Sequence, residues 1–567
     1  MSRREGDWWQ AGVENAGPGT RYSFEFDDGQ VVPDPRSQYQ PEGVNGPSQL
    51  IDHSTFRWTD AHWQARPLSS AVIYELHVGT FTPHGTFLST VECLDHLVEL
   101  GVTHVELMPL SEFSGAWGWG YDGVDLYAPH HAYGTPDDLK TLVNACHEKG
   151  LAVLLDVVYN HFGPVGNYLS RFGPYLTEAY HTPWGAAVNM DHQGSFEVRR
   201  FFQDNALMWL RDYHFDGLRL DAVHAYFDRS AIHFLEDLSC EVDTLSAHLG
   251  RHLVLIAESD LNDPRFVMSR EAGGYGIDAQ WSDDFHHALH TVLTGENNGY
   301  YEDFGSLDQL GKALQQAYVY DGIHSPHRKR VHGRPVLGLS GHHFLAYSQN
   351  HDQIGNRANG ERLGHLISPG RYKIAAALVF TSAFVPMLFQ GEEFNASSPF
   401  QYFTRHEDED LARQVSEGRR NEFRSFGWSP EDVPDPQSEE TFQRSKLHWN
   451  EPLTGAGKAC LDWYKQLIAL RRAHSSLTDG QLGNVEIRCN DDNQWIAMTR
   501  GNVEVICNLA SKPQKITLEG ESRTVALCSE PGYRLCSDTI ELPAESVAIL
   551  ADRKAAGNLS QSAAAAS

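Results

Sequence analysis

Three carboxylates stand at the ends of apolar runs in this chain: Asp221 in DGLRLDAVH (216–224), Glu258 in AESD (257–260) and Asp352 in NHDQIGNR (350–357). Arg219 and His224 flank the first, and His351 precedes the third. Carboxylates gathered at one point raise each other's pKa, so one can hold a proton while another stays ionised. Glycoside hydrolysis needs that division: a general acid for the leaving oxygen and an anion facing the anomeric carbon. Arg219 lies two residues before Asp221, on the same face of a strand, and would keep Asp221 ionised. Glu258 has no cation adjacent in sequence and is the better proton donor. Metal binding is the rival use of such groups. A catalytic zinc would want closely spaced His ligands. The adjacent pairs His286-His287 and His342-His343 cannot both point one way on a strand. No catalytic metal or cofactor is expected, and a structural calcium stays open.

These residues need strands to bring them together. Eight apolar runs alternate with helix-like segments: 72–76, 103–107, 152–158, 217–221, 253–257, 278–281, 344–347 and 386–389. Amphipathic patterns such as Phe196 to Tyr213 and Arg371 to Thr381 lie between them. Alternation of this kind implies parallel strands with crossover helices. Eight units predict a TIM (β/α)8 barrel with inserted loops, whose chemistry sits at the C-terminal ends of the strands. A doubly wound open sheet competes, but no GxGxxG follows the first run. Strand three would add Asp156, Asn160 and His161 to the same mouth. Residues 1–65 look β-rich and too short for a whole sandwich, so a partial N-terminal β-sandwich-like domain with a linker is expected there. The catalytic barrel is expected over 66–478, a C-terminal antiparallel β-sandwich over 479–552 and a disordered Ala/Ser-rich tail over 553–567. The charged stretch His406 to Glu440 reads as a solvated insertion after the last barrel strand. Trp281 to His290 reads as a helix start, with Ser282 or Asp283 as N-cap.

The chain has 75 acids against 45 bases, a net charge of −30. That balance argues against nucleic acid and anionic membrane surfaces as partners, and an uncharged substrate would be indifferent to it. Eight cysteines without a CxxC pair suggest neither a metal site nor a disulfide framework, and point to a reducing, cytoplasmic home. MSRREGDWWQ lacks the apolar core of a signal peptide, and no run of 18 apolar residues is long enough to span a membrane. Oligomeric state cannot be read from the sequence.

DVVYNH (156–161), DGLRLDAVH, AESD and NHDQIGNR resemble, in order and spacing, the four signature segments of the α-amylase superfamily of glycoside hydrolases. QGEEF (390–394) also matches. Within that superfamily the chain most resembles the maltooligosyltrehalose trehalohydrolase family. The pointers are VPDPRSQYQPEGVNGPS (32–48), LRLDAVHA (218–225), AESDLNDPR (257–265), YGIDAQWSDDFHHALH (275–290) and YYEDFG (300–305). The resemblance implies retaining hydrolysis of the α-1,4 bond between a maltooligosaccharide and a terminal trehalose. It implies Asp221 as nucleophile, Glu258 as acid and then base, and Asp352 as the third carboxylate holding the distorted ring. Arg219, His161 and His351 would bind the sugar at the cleaved bond, and Tyr121 would stack on it. His224, Asp283, Asp284, Phe285, His286, His287, Gln353 and Asn356 would line the groove. A glucan branching or debranching enzyme would share the barrel and the three carboxylates, and only the flanking segments separate the two. A non-catalytic glucan-binding protein on the same fold would be expected to lack one of the three. Family members usually begin with a complete β-sandwich. This chain enters that domain partway, near Asp7-Trp8-Trp9, which implies a truncated start or a reduced domain.

Overall fold

The computed structural model describes residues 1–4, 8–424, 429–519 and 523–552. The tail expected over 553–567 lies outside the described residues. Eight parallel strands close into one barrel: β1 (Ile73–Leu76), β2 (His104–Leu107), β3 (Ala152–Val157), β4 (Gly217–Leu220), β5 (Val254–Ala257), β6 (Ala279–Trp281), β7 (Phe344–Ala346) and β8 (Val385–Phe389). The ladder runs from β1 through β8 in chain order and returns from β8 to β1. Every residue of these strands is buried. A strand covered on both faces has no reason to alternate, which is why the runs read as continuous.

The crossovers are helical. They include α1 (Leu94–Leu100), α2 (Pro136–Glu148), α3 (Ser195–Asp212), α4 (Phe234–Leu249), α5 (Asp283–Thr294), α6 (Leu307–Gln316) and α7 (Pro369–Thr381). After β8 come α8 (Glu409–Arg424), within the charged insertion, and α9 (Gly455–Ala473). Local sequence sets their starts. Thr135 caps α2 through a capping box with Asp138, and Pro136 occupies the first turn, where a missing N–H costs nothing. Ser368 caps α7 by accepting the Arg371 N–H on its side chain, ahead of Pro369 in the first turn. Ser282 holds the N-cap position of α5 but makes no capping bond. Its hydroxyl donates instead to the Ala317 carbonyl.

Before the barrel, the described residues form three two-residue antiparallel pairs, Ser2–Arg3 with Trp9–Gln10, Arg21–Tyr22 with Ser48–Gln49, and Phe24–Glu25 with Val31–Val32. After α9 the chain forms two antiparallel sheets. One joins β9 (Val485–Asn490), β10 (Trp495–Arg500), β11 (Val503–Asn508), β13 (Arg523–Cys528) and β16 (Ser546–Asp552). The other joins β12 (Gln514–Thr517), β14 (Arg534–Leu535) and β15 (Thr539–Leu542). Ala497, Ile506, Ala548 and Leu550 of the first sheet pack on Ile516, Ile540 and Leu542 of the second. Arg500 and Arg471 of α9 both donate to backbone carbonyls around Ser382, which ties this region to the barrel.

Candidate active site

Register decides which side chains meet at the barrel mouth. Leu220 of β4 lies opposite Ala257 of β5, so the next residue on each strand, Asp221 and Glu258, emerges side by side. Asp156 of β3 lies opposite Arg219 of β4. Arg219 is almost wholly buried, and its guanidinium gathers the neighbouring carboxylates. Its Nη1 donates to Asp156 at 2.9 and 2.7 Å and to Asp221 Oδ1 at 2.7 Å. Its Nη2 sits 3.7 Å from Glu258 Oε2, and its charge lies over the Trp281 ring at 4.2 Å. Burial alone would disfavour that charge, and Asp156, Tyr121 and Asp221 more than offset it. The cation absent beside Glu258 in the sequence is therefore supplied by the fold, but at longer range than the one on Asp221.

Glu258 is held differently. Burial pushes its carboxyl well above the ordinary value, and Asp221, Asp283 and Asp352 add to that push against the opposing Arg219. Its Oε2 accepts the backbone N–H of Ala222 at 2.6 Å. Ala222 adopts a left-handed conformation, φ 40° and ψ 51°. That is uncommon for a residue with a Cβ and is the kind of strain found at functional sites. It turns the chain sharply after Asp221 and aims this N–H at Glu258. One carboxylate is thus paired tightly with a buried cation and its neighbour is poised to carry a proton.

Asp352 enters on a one-turn helix, His351–Gly355, whose cap Asn350 accepts the N–H groups of Asp352 and Gln353. Asn356 Nδ2 donates to Asp352 Oδ1 at 2.7 Å. Glu75 of β1 grips His351 Nδ1, and Tyr121 links His351 Nε2 to Asp156 through bonds of 2.8 and 2.7 Å. Burial opposes protonation of His351, but Glu75 outweighs it and raises the pKa. His161 stacks on Trp184, with ring centroids 4.6 Å apart. Burial lowers its pKa.

These groups line one cavity of about 610 Å³. Tyr121, His161, Arg219, Asp221, His224 and Glu258 form part of its wall, and Asp283, His351, Asp352, Gln353 and Asn356 form more of it. The structure does not bring all of the residues expected in the groove to it. Asp284 faces inward and accepts from Asn262 and the N–H groups of Val319 and Tyr320. Phe285 is fully buried against Phe384. His286 donates to the Ser348 carbonyl and accepts from Tyr301. His287 packs behind Tyr300, with ring centroids 5.1 Å apart. The cause is the helix. Residues 283–287 span more than one turn of α5: Asp284 and Phe285 rotate away from the cleft, while His286 and His287 return to the side of Asp283 one turn further along, where Tyr347, Tyr301 and Tyr300 cover them. Asp283 accepts from Tyr347 at 2.5 Å, and burial pushes it up to about 7.

The sequence matches the model for the α-amylase catalytic domain over residues 52–181. It is 46% identical over 561 residues to the malto-oligosyltrehalose trehalohydrolase of Rhizobium sp. (strain M-11), covering 97% of this chain and 94% of that one. The chain belongs to the malto-oligosyltrehalose trehalohydrolase family. The member from Mycobacterium tuberculosis (strain ATCC 25618 / H37Rv) is also 46% identical, over 563 residues, covering 97% of this chain and 95% of that one. Among solved structures, a putative α-amylase from Salmonella typhimurium aligns with a TM-score of 0.87 at 38% identity, covering 95% of this chain and 92% of that one.

Several cleft residues of this trehalohydrolase family member have no signal in its sequence. Trp184 comes from the tip of a hairpin, Leu176–Thr182 with Gly185–Val188. Tyr402, Phe403 and Thr404 follow β8, and Val415, Gly418, Arg419 and Glu422 come from α8. The insertion expected to be merely solvated is therefore a wall of the cleft. Trp119 lines it too, whereas Trp117 stacks on Phe442 instead. The clustering of Trp117 and Trp119 with glycines was the available hint.

Among the described residues one group has the ligand spacing for a metal ion, Glu112, His130 and His131. Its carboxylate is already engaged: Glu112 accepts from both His rings, at 3.2 and 2.8 Å, and from the His131 N–H.

Proposed function

We propose that the chain hydrolyses the α-1,4 bond joining a maltooligosaccharide to a terminal trehalose and releases trehalose, with retention of configuration. The observation that carries this is the contrast between neighbours. Asp221 is held on a buried guanidinium, and Glu258, beside it, is pushed towards its protonated form. Asp221 attacks the anomeric carbon while Glu258 gives its proton to the departing oxygen of trehalose. The glycosyl-enzyme on Asp221 is then opened by water, whose proton returns to Glu258. Asp352 binds the ring hydroxyls and holds the distorted ring as charge develops. Tyr121 and Trp184, both in the cavity wall, are the aromatic surfaces offered to the sugar. The substrate itself is inferred from the names of the relatives. On the same reading the barrel, 66–478, carries the chemistry and 479–552 is an ancillary β-domain. All eight cysteines are free, which supports a cytoplasmic setting.

Incubation with maltooligosyltrehalose and, separately, with plain maltooligosaccharide tests the proposal. Free trehalose from the first and slow cleavage of the second are expected. New α-1,6 branches, or equal cleavage of both, would contradict it.

A further inference from the structure

The insertion after β8 folds α8 back over the cleft, and its Arg419 has an uncommon setting. The side chain is only 9% exposed. Its guanidinium lies over the rings of Tyr402 at 5.3 Å and Phe423 at 4.5 Å. Nη2 donates to the Gly355 carbonyl, and Nη1 lies 3.4 Å from Asn356 Oδ1 and 3.3 Å from Glu422 Oε2. Gly355 ends the short helix that bears Asp352, and Asn356 is its C-cap. Carbonyls at a helix C-terminus have no intrahelical partner, and the arginine fork can serve a carbonyl and a side chain at once. Its contact with Asn356 has a directional consequence. An amide whose oxygen faces Arg419 must turn its NH₂ the other way, and that NH₂ is what donates to Asp352 at 2.7 Å. An amide free to flip would offer Asp352 an oxygen and repel it.

We propose that Arg419 is a positioning residue for Asp352, acting through the Gly355 carbonyl and the Asn356 amide. It thereby couples the seating of α8 on the cleft to the placement of the third carboxylate. The inference rests on the proposed role of Asp352. No group that Arg419 touches belongs to the Asp221–Glu258 pair; Arg419 also lines the cleft, so loss of a direct contact with the sugar would appear mainly in KM, whereas the effect through Asp352 appears in kcat.

The test is a double-mutant cycle on the full chain with maltooligosyltrehalose as substrate. Arg419→Ala should lower kcat on the order of tenfold or more, with a smaller change in KM. Asn356→Ala should do the same, and the double variant should be no worse than the poorer single one, because both act on one group. Arg419→Lys keeps a donor for Gly355 and should recover part of the loss; it also carries the test should the alanine variant not fold. An unchanged kcat in Arg419→Ala, or losses that multiply in the double variant and track the melting temperature, would overturn the proposal. Asp352→Asn in parallel separates the two levels. If it is fully active, both the site reading and this inference fail. If it is inactive while Arg419→Ala is unaffected, only this inference fails.

Discussion

Strand β4 carries a buried aspartate at each end, and the two are built in opposite ways. Asp216, just before the strand, accepts from Trp63 Nε1 at 2.8 Å, His147 Nε2 at 3.0 Å, Arg251 Nη2 at 2.9 Å and the Val153 N–H at 2.9 Å. Asp221, just after it, has one guanidinium and otherwise faces the cleft. Burial pushes Asp216 up, but His147, Arg251 and the Val153 N–H outweigh it, so its pKa falls below the ordinary value. Both residues are Asp within one six-residue stretch, and both have an Arg partner. What separates them is how much of their hydrogen-bonding capacity the protein fills. A saturated buried carboxylate serves as a fastener, whereas an unsaturated one that opens on a cavity is free to meet a substrate, which is the role proposed for Asp221.

The comparison breaks if the two ends respond alike to substitution. Asp221→Asn should lower kcat at least about 10⁴-fold, as loss of a nucleophile does. Its urea midpoint should move little. Asp216→Ala should leave the fraction that folds active but destabilise it by about 3–5 kcal/mol, because Arg251 is left without its anion, and Trp63, the His147 Nε2 and the Val153 N–H without their acceptor. Urea unfolding alongside kcat of the folded fraction checks both.

The same contrast has a sign in pH. Asp216 has a depressed folded pKa, so its contribution to stability is present above the unfolded Asp value of about 3.9. That contribution is lost as pH falls through the lower folded value. Glu258 has a raised pKa, and in the proposed mechanism it acts first as an acid, so activity should be lost as pH rises through that raised value. Asp283→Asn removes one of the charges that raise Glu258 and should move the basic limb of kcat/KM to lower pH. A limb that stays in place or moves upward would contradict the assignment of the proton to Glu258. The smallest effect is expected at His286. It lies behind the cleft, so His286→Asn should leave KM unchanged and cost about 1–2 kcal/mol of stability.

How much of this was legible follows from the same physics. The eight barrel strands could be read because strands buried on both faces are largely continuous apolar runs, interrupted by few charged residues such as Glu75, Glu106, Asp156 and Arg219. That Asp221, Glu258 and Asp352 would meet at the mouth could be read because each closes or closely follows such a run. Residues 284–287 misled because a contiguous motif says nothing about helical phase, which turns Asp284 and Phe285 inward, or about the tyrosines Tyr300, Tyr301 and Tyr347, which cover His286 and His287. Glu75, an acid in the middle of an apolar run, carried no sign that it would hold His351. Trp184, Tyr402 and Arg419 reach the cleft on segments distant in sequence from the barrel strands whose mouth they wall, and no local pattern encodes that.

The central claim is that Asp221 becomes covalently bound to the sugar while Glu258 handles the proton. An α-maltooligosyl fluoride separates the two steps, because fluoride departs without a proton and only the second step needs a base. Mass spectrometry of a Glu258→Ala variant incubated with such a fluoride tests the claim most directly. The prediction is a glycosyl adduct on the peptide that contains Asp221. An adduct on Asp352, or none while the fluoride is still consumed, would contradict it.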